Sequence, residues 1–167
     1  MIKKFNYLFV TCFFIGTIRF APGTITSFIT SVFLLSLFHI IKLPNAIILS
    51  LLGLIFFYSF FAISEYIKDK DKKDPKEVVV DEFIGQSIPI YLFETAHKVE
   101  REIIEIIFIY FIFFLLFRLF DIIKIFPANY IDKNFENSFG VIFDDVIAGF
   151  YVVLVLICFM ILKIKFF

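Results

Sequence analysis

Apolar residues in this chain do not alternate with polar ones. They run on in blocks. Leu43 to Ser64 contains no charged residue, and Phe20 to Ile41 contains none apart from the titratable His39. A spanning helix needs about 20 apolar residues. The pattern predicts an apolar helical hairpin, Ser27–Ile41 and Pro44–Ile63, turning at Lys42-Leu43-Pro44. Ahead of it, Phe5–Ile18 is apolar but short of a span, and Gly16–Ser27 reads as a turn region around Ala21-Pro22-Gly23-Thr24. After it comes a long charged stretch, Glu65–Glu82. Phe83–Phe93 carries Pro89 and is too short to span, so it should be half-inserted or buried by protein. Glu94–Glu102 is polar, Ile103–Phe117 is an apolar helix, Pro127–Gly140 is a polar loop, and Val146–Leu162 closes the chain. Long runs favour helices over strands. The expectation is an all-α fold, a compact bundle of apolar, membrane-associated helices forming one domain over residues 1–167.

Composition supports this class. The chain is 61% hydrophobic with 28 Phe and no Trp, where a soluble domain is roughly 45–50% apolar. An AT-rich coding sequence would also raise Phe, Ile and Lys, but the uncharged runs argue for a membrane independently. The net charge is zero and the cations do not gather on one face, so nucleic acid is not an expected partner. Lys68, Lys70, Lys72, Lys73 and Lys76 mark 65–82 as cytoplasmic by the positive-inside rule. The hairpin then returns both its ends to that side, which puts Gly16–Ser27 and Asp81-Glu82 on one face. Lys3-Lys4 before an apolar run resembles a signal peptide, but no small-x-small site follows, so the segment is expected to be retained. Cys12 and Cys158 lie in apolar runs and read as packing thiols.

Two acidic pairs stand out against this background. Asp81-Glu82 lies between Val78-Val79-Val80 and Phe83-Ile84-Gly85, and Asp144-Asp145 between Val141-Ile142-Phe143 and Val146-Ile147-Ala148. A buried charge costs several kcal/mol unless it is paired or bound to a cation. Either the pairs cap helices at the membrane surface, or they hold a divalent cation, which as a hard ion takes oxygen ligands. Arg118, Asp121 and Lys124 are spaced three apart, which on one helix aims them at a common point. Arg and Lys suit a phosphate; the plainer reading is a snorkelling cluster at a helix end. Gly23 permits a tight turn, and Thr24 or Ser27 would cap the next helix, whose N-terminus would then attract an anion. A Walker lysine, a Cys-x5-Arg motif and a haloacid-dehalogenase aspartate pair are missing, and His39 and His97 lie outside the acidic clusters.

Four segments together resemble the phosphatidylglycerophosphatase A family: Ala-Pro-Gly-Thr at 21–24; Asp74-Pro75-x-x-Val78-Val79-Val80-Asp81-Glu82-x-x-Gly85-Gln86; Phe117-Arg118-x-Phe120-Asp121-x-x-Lys124; and Gly140-Val141-x-x-Asp144-Asp145-x-x-Ala148-Gly149. The chain departs from the usual pattern at Arg19, Thr26 and Ile125, none of them in the charged set. The resemblance implies a bacterial inner-membrane enzyme that uses Mg2+ to remove the terminal phosphate of phosphatidylglycerophosphate at the cytoplasmic face, in phospholipid synthesis. It implies Asp81, Glu82, Asp121, Asp144 and Asp145 as metal ligands, with Asp81, Asp121, Arg118 and Lys124 catalytic. Arg118, Lys124, Gly23 and Thr24 would bind the phospholipid substrate. A cation carrier using intramembrane carboxylates and a non-catalytic scaffold are the competing classes. The Arg118/Lys124 pair argues against the first, and the concentration of acids in apolar motifs against the second.

Overall fold

The computed structural model describes residues 2–68, 75–96 and 101–166. The described residues are all-helical with no strand, as expected. Seven α-helices follow in order: α1 (Ile2–Val10), α2 (Pro22–Leu35), α3 (Asn45–Ile67), α4 (Val80–Ala96), α5 (Ile103–Ile123), α6 (Ala128–Asn134) and α7 (Ser138–Phe166). A 3-10 turn at Ile15–Thr17 joins α1 to α2, and a π turn at Ser36–Ile40 extends α2. Four helices are long and apolar enough to cross a membrane: α2 with its π turn, α3, α5 and α7. Only 22% of the apolar window of α3 and of α5 is buried within the protein. Leu54, Phe57, Ile104 and Phe108 face outward, as suits a lipid solvent.

α4 is the hub, packed against α2, α3, α5 and α7. It is the Phe83–Phe93 segment extended at both ends. Pro89 does not break it, and Asp81, Ile84, Gly85, Gln86, Pro89 and Ile90 are buried along it. Pro89 lacks the N–H that would bond the carbonyl of Gly85 four residues back. α7 approaches at that carbonyl: a Cβ on Gly149 would overlap Gly85 O, and one on Gly85 would lie 2.6 Å from Asp145 O. Two glycines facing each other let the backbones close in, the geometry that small residues provide between membrane helices and in which Cα–H···O contacts form. This crossing sets the start of α4 against the acidic turn of α7.

Several polar side chains within the bundle find hydrogen-bond partners there. The hydroxyls of Thr26, Ser27 and Thr30 donate to the carbonyls of Pro22, Gly23 and Thr26, and Gln86 Nε2 donates to Ser31 Oγ at 3.1 Å. At the far end, Glu94 Oε1 lies 2.9 Å from His39 Nε2 and accepts from Tyr110 Oη at 2.9 Å, tying α2, α4 and α5 together.

Several boundaries differ from the sequence reading. α2 starts at Pro22, not Ser27, because Pro at the first helical position is pre-set for the helix. Ser27 therefore lies inside the helix and bonds back to Gly23 instead of capping it. Pro127–Gly140 contains α6 and the first turn of α7. Asp144-Asp145 lies within α7, not at its start, so that pair does not cap a helix. The lysines of 69–74, Asp74 and His97 lie outside the described residues.

Candidate active site

Four helix ends meet at one end of the bundle. Asp81 and Glu82 occupy the first turn of α4, where the positive end of the helix dipole favours carboxylates. Asp144 and Asp145 come from the second turn of α7, Arg118 and Asp121 from the last turns of α5, and Gly23 from the first turn of α2. Asp81, Asp144 and Asp145 are each less than a tenth exposed.

One carboxylate oxygen each from Asp81, Glu82 and Asp145 lies within 4.8 Å of the others. The Asp121 carboxylate lies close by and its charge acts on both Glu82 and Asp145. Arg118 Nη1 lies 2.7 Å from Asp121 Oδ2, close enough for an ion pair but off the line of a hydrogen bond. The inner group thus sets four carboxylates against the Arg118 guanidinium, an arrangement that calls for a further cation. Burial pushes the Glu82 carboxyl up to about 7; the Asp121 charge adds to the shift, and the Arg118 charge opposes it. Glu82 Oε2 and Arg118 Nε are buried with no hydrogen-bond partner. One is an acceptor suited to a cation and the other a donor suited to an anionic oxygen, on two side chains that both border Gly23. A group of oxygen donors without sulfur or imidazole suits a hard divalent ion.

Lys124 departs from the expected geometry. α5 ends at Ile123, and Lys124 takes a left-handed cap conformation with φ 46°. The side chain leaves the Arg118–Asp121 face and reaches Asp144 Oδ2 at 2.6 Å and Asp132 Oδ1 at 2.7 Å. Burial disfavours its charged form, but the two carboxylates outweigh that and raise its pKa. The three groups therefore do not converge on one point. Arg118 and Asp121 stay together, and Lys124 joins Asp144 at the rim. Asp132, on α6, was not singled out by sequence; a lone acid in a polar loop gives no signal.

Gly23 is next to the acids for a reason other than turn flexibility. A Cβ there would overlap Glu82 Oε1 and lie 3.2 Å from Arg118 Nη1. The first bond of α2 runs from the Ile25 N–H to Ala21 O, so the N–H groups of Gly23 and Thr24 fall outside the helical ladder. Ala21 provides no side-chain cap, contrary to the capping expected of Thr24 or Ser27. Cys12 is mostly buried beside this end, and burial, aided by the Glu82 charge, pushes its thiol up to about 12. That fits a packing thiol and not a nucleophile.

The family model for phosphatidylglycerophosphatase A matches residues 8–160. The chain is 33% identical over 143 residues to a Haemophilus influenzae protein named phosphatidylglycerophosphatase A, covering 84% of this chain and 79% of that one. It is 29% identical over 138 residues to a Bacteroides thetaiotaomicron protein named as a phosphatidylinositol-3-phosphatase with putative status, covering 81% of each. No solved structure matches.

Proposed function

Because the chain belongs to the phosphatidylglycerophosphatase A family and is thereby a membrane lipid phosphatase, we propose that it hydrolyses phosphatidylglycerophosphate to phosphatidylglycerol and phosphate. In this reading it uses Mg2+, works at the cytoplasmic face of a bacterial inner membrane, and serves phospholipid synthesis. The observation that carries the reading is the gathering of Asp81, Glu82 and Asp145 within 4.8 Å, beside a guanidinium with unmet donors.

Asp81, Glu82 and Asp145 would hold the ion, with Asp121 and Asp144 completing its surroundings. When bound, Mg2+ supplies charge neutralisation at the phosphate oxygens and makes a bound water more acidic. The chain's own residues do the rest. Arg118 offers paired donors to the phosphate and stabilises the charge that grows on it in the transition state. Asp121 fixes the guanidinium from the next turn of α5. The N–H groups of Gly23 and Thr24 add donors from the start of α2. Lys124, held by Asp132 and Asp144, brings a second positive charge to the rim, where the headgroup enters. A water oxygen bonds to phosphorus as the P–O bond to the glycerol breaks. Asp81 or Asp121 takes the water proton and then returns it to the departing glycerol alkoxide. Attack by one of these aspartates, with later hydrolysis of the acyl phosphate, is the other course. Acyl chains stay in the bilayer while the phosphate reaches the helix ends.

Phosphate release by purified protein tests the reading, with phosphatidylglycerophosphate and phosphatidylinositol 3-phosphate as parallel substrates, each with EDTA and with Mg2+ restored. The expected result is turnover of phosphatidylglycerophosphate that EDTA abolishes and Mg2+ restores. Preferential release from the inositol lipid would reassign the substrate, and EDTA-resistant turnover would remove the ion.

A further inference from the structure

At the opposite end of the bundle, α4, α5 and α7 part around a cavity of about 700 Å3. Its wall is apolar, formed by residues such as Phe93, Leu116 and Leu156, and Arg101 and Lys163 also line it. Helical rise locates these cations. Lys163 is 18 residues beyond Asp145 on α7, about 27 Å further along the axis, and Arg101 lies two residues ahead of α5, whose first residue, Ile103, precedes Arg118 by 15 residues, about 22 Å. Both distances approach the roughly 30 Å thickness of a bilayer's hydrocarbon core. The cations therefore lie at the membrane surface away from the carboxylates, and the apolar part of the cavity lies in that leaflet. The Arg101 guanidinium carbon is 5.4 Å from the centroid of the Phe93 ring, a cation–π distance that holds it over the wall. Leu92 and Met160 are lining residues still more than a third exposed, so the cavity opens sideways toward lipid.

We propose that this cavity is a binding site for an anionic phospholipid of the leaflet opposite the active site. One acyl chain fills the apolar space, and the headgroup phosphate pairs with Arg101 and Lys163. The volume falls in the range of about 300–1,000 Å3 typical of ligand sites. An apolar slot bounded at the membrane surface by two cations is complementary to a lipid with a negative headgroup. The site shares no residue with the phosphatase centre and does not depend on which lipid that centre hydrolyses.

The test uses full-length protein in nanodiscs carrying phosphatidylserine or phosphatidylcholine with a photoactivatable group in the acyl tail. Cross-linked peptides are mapped by mass spectrometry. Phosphatidylserine should label the stretches 89–96 and 153–163 more strongly than phosphatidylcholine. Arg101→Ala and Lys163→Ala should each cut that labelling about fivefold, the scale for one basic residue near a charged membrane surface, with phosphatase activity kept as the sign of an intact fold. Should either variant fail to fold, Leu156→Trp provides the second arm: filling the slot should abolish labelling there. Equal labelling by the two lipids, labelling indifferent to both cations or to Leu156→Trp, or cross-linked chain dimers through this face in place of lipid adducts would overturn the site.

Discussion

Gly23→Ala separates folding from catalysis more cleanly than removing a charge. Gly23 sits in the first turn of α2 with no positive φ, so backbone preference favours alanine by up to about 1 kcal/mol. On stability alone the substitution should be neutral or helpful. The site reads it differently. The new Cβ would overlap Glu82 Oε1 and crowd Arg118 Nη1 at 3.2 Å. Glu82 Oε1 is the end of a flexible side chain, so the carboxylate yields and the helix stays. The displacement needed to restore van der Waals contact is on the order of 1 Å, and a 1 Å misplacement in a catalytic site can cost about 10²-fold. Gly53→Ala on α3 is the control, since nothing lies within 4 Å of a Cβ there. The assay is phosphate release in detergent micelles together with thermal unfolding of the same preparations. Gly23→Ala should keep or raise Tm while kcat/KM falls about 100-fold, and Gly53→Ala should leave kcat/KM unchanged. Wild-type kcat/KM in Gly23→Ala would refute the placement of Glu82 and Arg118 in the reacting centre.

Arg118→Lys keeps the charge but loses the paired donors, so kcat/KM should drop by about 2–3 kcal/mol, the scale of a charge-assisted hydrogen bond in a catalytic site; unchanged turnover at equal membrane yield would return Arg118 to anchoring. Gly149→Ala sets a Cβ against the backbone oxygen of Gly85, which cannot swing aside, and should destabilise the α4–α7 crossing by about 1–3 kcal/mol, read as a lower Tm in micelles. The pH dependence follows from Glu82, whose carboxyl rises from an ordinary 4.5 to about 7 in metal-free protein. A raised pKa stabilises the fold fully below 4.5 and loses that contribution as pH climbs through 7. EDTA-treated protein should therefore melt lower at pH 8 than at pH 5, and Mg2+ should recover more Tm at pH 8; a flat profile would contradict the burial of Glu82.

The long apolar helices were legible because hydropathy acts over whole helices, and uncharged runs such as Leu43–Ser64 leave little choice in a bilayer. Arg118 and Asp121 were legible as a pair, since i and i+3 share a helix face whatever surrounds them. Lys124 was not. Reading it onto the same face assumed the helix continued, whereas α5 ends at Ile123 and the left-handed cap turns the side chain to Asp132 and Asp144. Pro127, three residues on, was the signal available for that stop. Pro89 invited the opposite error. It looks like an interruption, but α4 carries it because the released Gly85 carbonyl faces Gly149 of α7. The partner glycine lies 64 residues away in sequence, and nothing local announces the crossing. Gly23 was singled out for a turn, but its use is clearance for Glu82, a contact between separate helices that sequence spacing does not encode.

The central claim is that acids from α4 and α7 form one cation site. Mn2+ stands in for Mg2+ and is visible by electron paramagnetic resonance, so titrating purified protein with Mn2+ reads the site without any substrate. Wild-type protein should bind Mn2+ and release it to excess Mg2+. Asp81→Asn and Asp145→Asn, from different helices, should each weaken binding by at least about 10-fold, since even an outer-shell partner of a metal site is worth 10- to 100-fold. Mn2+ affinity unchanged in both variants would contradict the account.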